Sequence, residues 1–580
     1  MPVEPKPLTT EQLAASEYSR NMFLSACPGS GKTRTAATRI ARLDSEGMRV
    51  AACSYTNVGV GALRQTLAAE HQLALGPEHY LGTLHGLLLR TVTYPFGHLR
   101  CGATPRLLPD ESSLWPEINV GTDGTHRCLK ISSFRRRSDN TSWLANVPYS
   151  VGLDHDEIIR RGLDKANQLK TDMAAKGWLS FDDAMFIALQ VLRKYPHIAG
   201  AVARRFDEIL VDEAQDTSEL QTACLRALTS TGALRSLVLV GDLDQSISSY
   251  NGASIDQCAD LAKTSSLKQL KLTENHRSSQ LICNIAAKFR SRRTPDLAVG
   301  RDSGHPVPPE LFLYPPNDPR VALIGFRQRL RELGENPKQA AVLTRGNNLC
   351  DEINSGETVS VDIKARTQRV GRVIAALRSG ATISKQDIDF IESTIAYTAF
   401  GERHDPAAHA HDQRSALRTA ALTFLQDAPQ MDTTLDKWIK ATAKVLTTVS
   451  HQLTNQPEKT GGSVLRTSPK HGQFPADKVF LIEPSTFRAQ TIHDIKGETR
   501  DSALIVLDRK RRGKETQSEL WAQRLRHHDT PEEQAEEVRI AFVALTRPRR
   551  YCAVAIPSDS PQQAIEAFKT AGFLYDVRIS

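Results

Sequence analysis

Two adjacent carboxylates, Asp212 and Glu213, follow a short apolar run in this chain of 580 residues. Residues 209–216 read ILVDEAQD, which is typical of a buried parallel strand that brings acids to the carboxyl edge of an α/β sheet, where ligands bind. In a nucleotide-binding enzyme, Asp212 would hold Mg²⁺, directly or through water, and Glu213 would take a proton from an attacking water. Taken alone, the run is better explained as a strand that ends in a solvated acidic loop.

A glycine-rich segment near the N-terminus reverses that preference. Residues 22–25 predict a short strand, residues 26–33 read ACPGSGKT, and a helix is predicted from Arg34 onward. This is the strand–loop–helix setting of a phosphate-binding loop, with Ala26 at the position of the usual first glycine. Lys32 would bridge the β- and γ-phosphates, and the Thr33 hydroxyl would be a second Mg²⁺ ligand. The predicted nucleotide contacts of the loop are Ala26, Cys27, Pro28, Gly29, Ser30, Gly31, Lys32, Thr33 and Arg34.

The alternative for this segment is an ordinary glycine-rich turn before a helix. The Lys-Thr pair and the preceding strand argue against that alternative. A phosphate-binding loop followed later in the chain by an acidic strand predicts a P-loop NTPase that uses ATP and Mg²⁺. The pair does not specify which kind, because kinases, transporters and motors share it.

The composition is that of a globular protein with several domains. Hydrophobic residues make up 40% and charged residues 24%, and the length predicts more than one folding unit. No apolar stretch is long enough to cross a membrane, and the N-terminus lacks a signal-peptide pattern. The nine cysteines are scattered without a C-x-x-C pair, which favours a reducing compartment, so we expect a cytoplasmic protein. The net charge of +8 permits a polyanionic partner without specifying one.

Seven further segments occur in a characteristic order: residues 8–12 (LTTEQ), 52–57 (ACSYTN), 82–85 (GTLH), 240–253 (VGDLDQSISSYNGA), 272–278 (LTENHRS), 490–499 (QTIHDIKGET) and 536–547 (EEVRIAFVALTR). With the phosphate-binding loop and the acidic strand, they resemble the motifs of UvrD/Rep/PcrA-like DNA helicases of superfamily 1. The resemblance implies an ATP-dependent DNA helicase. Its catalytic residues would be Lys32, Glu213, Gln245, Arg277 and Arg547.

The resemblance also implies how ATP is held. Gln245 would sense the γ-phosphate, and Arg277 and Arg547 would reach that phosphate from the second core, so their contacts would require a closed cleft. Gln12 would read adenine through its amide. His276 stands where the family has an adenine-stacking tyrosine.

Glu498 is the expected ribose contact. Thr499 is the alternative, because the glutamate lies one place earlier than in the usual family motif.

The DNA-binding residues implied by the resemblance are Tyr55, Thr56, Asn57, Thr83, His85, Tyr250, Thr491 and His493. Aromatic rings would stack on bases, and the polar groups would bind phosphates or sugars. Each of the segments at 52–57 and 82–85, taken singly, is better explained as a capped strand–helix junction. Tyr250 replaces a tryptophan of the family, Ser248 an aromatic residue and Asn251 an arginine, so a weaker grip on the strand is expected.

The expected fold is α/β, with two RecA-like P-loop NTPase cores built on parallel sheets, each carrying a largely helical insertion. The first core would comprise residues 1–90 and 181–280, with a helical, basic insertion at 91–180. The second would comprise 281–355 and 476–580, with a reduced insertion at 356–475. Strands are predicted near residues 22–25, 50–54, 209–211, 237–240, 341–343, 479–482, 490–492, 503–507 and 551–556.

The function expected from these patterns is ATP-driven 3′–5′ movement on single-stranded or forked DNA, with strand unwinding. A translocase that unwinds little is the nearest alternative. A different class of alternative is the helicase-like ATPase subunit of a nuclease-containing complex in antiphage defence (Gabija-like) or DNA repair. Such a subunit would act weakly without a nuclease or repair partner.

Overall fold

The computed structural model describes residues 7–108, 115–120, 128–139, 142–144, 155–247, 255–354, 365–378, 383, 385–401, 411–466, 472–480, 487–510, 515–527 and 534–575. They form two compact units. The first unit contains Met1–Leu108, Glu117–Cys350 and Ala489–Ser580, and the second contains Pro109–Pro116 and Asp351–Arg488. Within the described ranges, no helix combines the length and the apolar character that a membrane crossing requires.

A six-stranded parallel sheet forms the first half of the larger unit. Successive residues of its central strands are buried on opposite faces: Phe23 packs in one apolar cluster, whereas Met22 and Leu24 pack in the other. Both faces are therefore covered by helices, as expected for a parallel sheet. The strands, in spatial order, are Lys268–Leu272, Met22–Ala26, Ser236–Gly241, Glu208–Asp212, Val50–Ser54 and Tyr80–Thr83.

The helices of this part of the unit come from residues 10–101 and 181–264. They are Thr10–Glu17, Lys32–Ser45, Asn57–His71, Leu84–Leu88, Tyr94–Phe96, His98–Cys101, Phe181–Lys194, Pro196–Arg204, Glu219–Thr229 and Ile255–Thr264, with a π-helical turn at Leu89–Thr93. The insertion carries the long helix His155–Ala175. It also contains three short strand pairs that the sequence did not predict: Arg106–Leu107 with Trp178–Leu179, Glu117–Asn119 with Cys128–Lys130, and Phe134–Arg136 with Ser142–Leu144.

A second six-stranded parallel sheet completes the larger unit. Its strands, in spatial order, are Ala489–Thr491, Ala340–Thr344, Arg500–Val506, Pro548–Pro557, Glu310–Tyr314 and Leu574–Tyr575. The helices of this part are Gln280–Ala286, Val321–Leu333, Asn347–Asn354, Gln517–Arg526, Ala535–Leu545 and Gln562–Ala571. The two parallel sheets confirm the predicted α/β class with two RecA-like cores.

The smaller unit is helical in its described part. Its helices are Ala365–Arg378, Lys385–Phe400, His411–Asp427, Leu435–His451, Gly461–Val464 and Ala476–Phe480. Trp438 lies fully buried at its centre, against the ring of Phe480. The strand predicted at 479–482 is wrong where it can be compared, because Val479 and Phe480 belong to a helix and pack into this core. A short apolar run does not distinguish a buried helix from a buried strand.

A buried ion pair ties the helix after the phosphate-binding loop to the acidic strand. Arg39 donates to both carboxylate oxygens of Glu208, with Nε–Oε1 at 2.7 Å and Nη2–Oε2 at 2.6 Å. Its guanidinium also donates to the carbonyls of Ala15 and Tyr18, at the first helix. Both charged side chains are almost fully buried, so each depends on the other for neutralisation.

Breaking this pair is expected to destabilise the protein strongly. Arg39→Met leaves the Glu208 carboxylate buried and unpaired, and we expect a loss of about 3–5 kcal/mol in the free energy of unfolding. The measurement is the urea denaturation midpoint followed by tryptophan fluorescence. The matched control is Arg39→Met combined with Glu208→Leu, which removes both charges and should recover most of the loss. Equal destabilisation in the single and double variants would contradict the pairing argument.

Candidate functional site

The phosphate-binding loop has the backbone that its sequence predicts. It leaves the strand Met22–Ala26 and enters the helix Lys32–Ser45, with Gly29 at φ 72° and Gly31 at φ 79°. A Cβ at Gly29 would lie 2.5 Å from the Cβ of Arg277, and one at Gly31 would lie 2.6 Å from Nε2 of Gln12. Both positions therefore need glycine for conformation and for space. The result is a narrow cradle of backbone N–H groups at a helix N-terminus, which suits an anionic group.

One side chain of the loop lacks an internal partner. The Ser30 hydroxyl is buried and makes no hydrogen bond to any described residue. A buried hydroxyl without a partner is unfavourable, and a phosphate oxygen would satisfy it. Thr33 occupies the second position of the following helix, where its hydroxyl could ligate a cation. The loop therefore fits a nucleotide phosphate chain.

The two acids take different electrostatic roles. Glu213 forms an ion pair with Lys32, with Oε1 and Nζ 3.0 Å apart, and adopts the left-handed φ of 54°. Burial works against its charge, but Lys32 and then Lys496 hold the pKa of Glu213 down to about 2. Burial and the neighbouring Glu213 raise the pKa of Asp212 to about 6. Glu213 is therefore a carboxylate at neutral pH and can act as a proton acceptor.

Asp212 has the geometry of a possible cation ligand. It ends the strand Glu208–Asp212 at the carboxyl edge of the sheet. The strand Ser236–Gly241 lies between this strand and Met22–Ala26, which leads into the phosphate-binding loop. One carboxylate oxygen accepts from the backbone N–H of Glu213 at 3.0 Å. The residues Thr33 and Asp212 would be the ones to hold Mg²⁺, which prefers a small number of oxygen ligands from the protein.

A chain of hydrogen bonds runs from Glu213 along the strand edge. The Gln215 amide donates to Oε2 of Glu213 at 2.5 Å and accepts from the backbone N–H of Asp242 at 3.2 Å. The Asp242 carboxylate in turn accepts from Nε2 of Gln245 at 3.0 Å. Neither Gln215 nor Asp242 was assigned a role from the sequence, although both lie within the quoted motifs. Their pairing is a tertiary contact between two strand ends.

The second sheet contributes a buried arginine to the same place. Arg547 follows the helix Ala535–Leu545, is 2% exposed, and donates from Nη2 to Oε1 of Gln245 at 3.1 Å. Burial, and then the nearby Arg277, lower the pKa of Arg547 to about 9. No carboxylate lies within ion-pairing distance of this guanidinium among the described residues, so its charge is available to an anion.

Arg277 lies between the phosphate-binding loop and the second sheet's part of the molecule. It was predicted to approach from the second core, and it follows the first sheet's strand Lys268–Leu272 after the short strand Glu274–Asn275. The backbone N–H of the preceding His276 donates to the carbonyl of Gly29 at 3.0 Å, which holds this segment on the phosphate-binding loop. The pairing of the edge strand Lys268–Leu272 with Met22–Ala26 brings this segment to the loop, and the contact of Arg277 with the γ-phosphate stays a prediction.

The guanidinium of Arg277 nevertheless reaches the second sheet's part of the molecule. Nη1 donates to the carbonyl of Thr546 at 3.0 Å. Burial, and then Arg549, lower the pKa of Arg277 to about 10. Like Arg547, it has no carboxylate within ion-pairing distance in the described part of the chain. Two cations thus lie beside the loop with Glu213 as a nearby opposite charge but with no carboxylate of the described residues within ion-pairing distance.

The residues expected to hold adenine and ribose are engaged with protein partners. Gln12 accepts from the backbone N–H of Thr9 at 3.1 Å and donates to the carbonyl of Ser30 at 2.9 Å, so its amide fastens the first helix to the loop. The ring of His276 is partly exposed, 3.8 Å from the Glu274 carboxylate.

The other two expected nucleotide contacts also form ion pairs. Arg34 pairs with Glu70, and Arg500 donates to the carboxylate of Glu498 at 2.5 Å. A nucleotide bound as predicted would have to exchange these partners.

Several of the expected DNA-facing residues lie at strand ends, where a residue can both cap the following helix and contact DNA. Thr56 and Thr83 cap the helices Asn57–His71 and Leu84–Leu88, at the carboxyl ends of two adjacent strands. Asn57 is exposed, and Tyr55 is partly exposed. These two helix caps are the structural explanation that the sequence left open, and the exposed Asn57 side chain remains accessible to a ligand.

The two histidines of the set are in their neutral forms. His85 packs against the ring of Phe181, with centroids 5.3 Å apart, and burial lowers its pKa to about 4. Burial also lowers the pKa of His493, whose Nε2 lies 3.1 Å from the carbonyl of Ile247. Thr491 donates to Asp494 at 2.7 Å. Tyr250, with Ser248 and Asn251, lies outside the described residues.

Comparison with known proteins agrees with this geometry. Residues 8–266 match the family model of the UvrD/REP helicase N-terminal domain. The chain is 29% identical over 296 residues to "ATP-dependent DNA helicase UvrD1" of Mycobacterium leprae, a region of 47% of this chain and 37% of that protein. It is 30% identical over 312 residues to "DNA helicase II" of Haemophilus influenzae, which is 50% of this chain and 41% of that protein.

A third relative is "DNA helicase II" of Escherichia coli, 27% identical over 287 residues, or 46% of this chain and 38% of that protein. The chain thus matches less than half of the length of each of these relatives. Residues 8–266 match the UvrD/REP helicase N-terminal domain, and the predicted resemblance to UvrD-like helicases of superfamily 1 is confirmed.

Proposed function

We propose that the protein is an ATP-dependent DNA helicase that couples ATP hydrolysis between its two sheets to 3′–5′ movement on single-stranded DNA. The observation that carries the proposal is the pair of guanidiniums of the partly buried Arg277 and the buried Arg547, which lie beside the phosphate-binding loop with no carboxylate of the described residues within ion-pairing distance. Uncompensated buried cations are unfavourable unless an anion joins them. Charge that develops on a transferring γ-phosphoryl group is such an anion.

The proposed chemistry starts from an exchange of ion pairs. Lys32 is held by Glu213 in this structure, and a bound triphosphate would replace that carboxylate as its partner. Glu213, once released, would accept a proton from the attacking water. Mg²⁺, held by Thr33 and Asp212, would neutralise phosphate charge. Arg547 and Arg277 would stabilise the transition state by electrostatic contact.

Movement is proposed to arise from the short segment that follows Gln245. The backbone carbonyls of Gln245, Ser246 and Ile247 accept hydrogen bonds or polar contacts from the second sheet's part: Lys496 at 2.9 Å, Arg539 at 2.6 Å and His493 at 3.1 Å. Any rearrangement of these partners during hydrolysis would therefore act on this segment. It leads, within three residues of Ile247, to the proposed base-stacking Tyr250.

The direction and the product are tested with tailed duplexes. A 3′–5′ helicase should displace the strand of a duplex that carries a 3′ single-stranded tail and leave a 5′-tailed duplex intact. Displacement of streptavidin from a 5′ biotin without strand separation would instead indicate a translocase. Little ATPase activity in the isolated protein, restored by a co-purifying nuclease or repair protein, would contradict an autonomous helicase and favour a subunit role.

Loss of the proposed stacking ring should separate hydrolysis from movement. Tyr250→Ala is expected to retain most of the DNA-stimulated ATPase activity while base pairs opened per ATP fall, because base–aromatic stacking contributes about 1–3 kcal/mol per base. The measurement is strand displacement and phosphate release in the same reaction. Tyr250→Trp is the matched control and should preserve coupling. Unchanged unwinding per ATP in the alanine variant would refute the stacking role.

A further inference from the structure

A third buried arginine lies beside the site and belongs to no motif quoted above. Arg290 is 4% exposed and contacts three carboxylates: Asp296 at 2.5 Å, Asp244 at 3.1 Å and Asp242 at 3.5 Å. Its guanidinium carbon also lies 5.0 Å from the centre of the Phe542 ring. Asp242 and Asp244 follow a strand of the first sheet, whereas Phe542 lies in a helix of the second sheet's part.

The contact with Asp242 has a specific consequence for Gln245. The amide of Gln245 uses both ends: Nε2 donates to Asp242 at 3.0 Å, and Oε1 accepts from Arg547 at 3.1 Å. If the amide were reversed, its NH₂ group would face the guanidinium, and two donors would oppose each other. An Asp242 carboxyl oxygen that is held in place as the acceptor therefore selects the orientation in which Gln245 holds Arg547.

Arg290 helps to hold Asp242 in place as that acceptor. Burial raises the pKa of the Asp242 carboxyl, and the Arg290 guanidinium, 3.5 Å away, is the strongest influence that opposes this shift. Arg290 is itself anchored, because its carbonyl accepts from Nη2 of Arg524 at 2.5 Å and Asp244 binds the next backbone N–H, of Ser291, at 3.1 Å. The guanidinium is thus fixed in position from several sides.

We propose that Arg290 is a positioning residue, which acts through Asp242 to set the orientation of the Gln245 amide and thereby the place of Arg547. This role rests on the proposed ATP hydrolysis. It extends the site to a residue that touches no nucleotide and gives Asp242 a function in orienting Gln245. The Arg290 side chain also links the parts built on the two sheets. It contacts Asp242 after a strand of the first sheet and the ring of Phe542, which lies on the helix that leads to Arg547.

The test compares the conservative variant Arg290→Lys with a control from the same ion cluster. Lysine keeps the charge but cannot hold three carboxylates with a planar fork, so we expect kcat to fall about 10- to 100-fold at an unchanged KM for ATP. Asp296→Asn weakens one Arg290 ion pair while Asp242 and Asp244 still contact the guanidinium, and its kcat should change by less than about 3-fold. A merely structural role would lower thermal stability in both variants and reduce kcat equally.

The decisive measurement is a double-variant cycle with Gln245→Ala. If Arg290 acts through Gln245, adding Arg290→Lys to Gln245→Ala should cause no further loss of kcat. Asp242→Asn combined with Gln245→Ala should behave in the same way, which keeps the test valid if Arg290→Lys folds poorly. Multiplicative losses in both cycles would overturn the positioning role while leaving the proposed function intact. Absence of ATPase activity in the unmodified protein would overturn both.

Discussion

Glu213→Gln is expected to abolish DNA-stimulated ATP hydrolysis while ATP binding persists. Glutamine keeps the size of the side chain and can still contact Gln215, but it cannot accept the proton of the attacking water. Loss of a general base typically lowers the rate by about 10²- to 10⁴-fold. The measurement is phosphate release under saturating ATP and single-stranded DNA.

Binding should respond in the opposite direction. In this structure the Glu213 carboxylate forms an ion pair with Lys32. Replacing that carboxylate with an amide leaves the lysine available to phosphate and removes a negative charge from the site. We therefore expect ATP affinity in Glu213→Gln to equal or exceed that of the unmodified protein, measured by titration with a fluorescent ATP analogue. Lys32→Ala is the control that should lose binding and hydrolysis together. Full turnover by Glu213→Gln would eliminate Glu213 as the base.

Arg547→Ala is expected to produce the other large loss. The guanidinium is proposed to contact the γ-phosphoryl group only during the reaction, and arginines in this role contribute about 10³- to 10⁵-fold to kcat. Because Arg547 is buried and no carboxylate of the described residues lies within ion-pairing distance, its removal also eliminates a charge that burial disfavours. Thermal stability should therefore remain close to that of the unmodified protein although catalysis is lost.

The matched variant for this prediction is Arg547→Lys. Lysine keeps a positive charge but lacks the planar fork that donates to Gln245, Val543 and Glu498, so it should rescue little of the activity. Steady-state ATPase assays and thermal unfolding of both variants provide the check. A large loss of stability with a proportionate loss of activity would show that Arg547 is structural.

The sequence predicted the parts of the site that depend on local pattern. The phosphate-binding loop and the acidic strand are continuous segments, and the structure places Lys32 against Glu213 at the edge where both were expected. Most central strands were predicted because a sheet covered on both faces requires apolar runs, although the buried strand Glu310–Tyr314 was missed. Some edge strands were also missed, as with Lys268–Leu272, in which Lys268, Gln269 and Lys271 are exposed and interrupt the apolar pattern.

Contacts between distant segments could not be predicted in this way. Arg290 lies 48 residues from Asp242 in the chain, and nothing in its neighbourhood distinguishes it from a surface arginine. The placement of Arg277 required knowledge of how an edge strand pairs. The engagement of Gln12 with the carbonyl of Ser30 depends on the packing of the first helix against the loop. Each of these features follows from tertiary packing and not from a local periodicity.

The most direct test of the central claim is the rate of ATP hydrolysis with and without single-stranded DNA, in the unmodified protein and in Lys32→Ala. Because the proposed ATP site contacts the segment after Gln245, we expect slow hydrolysis by the protein alone and strong stimulation by single-stranded DNA. We expect no activity in Lys32→Ala, with or without DNA. A rate that DNA does not change, or turnover that survives in Lys32→Ala, would contradict an ATP-driven motor on DNA.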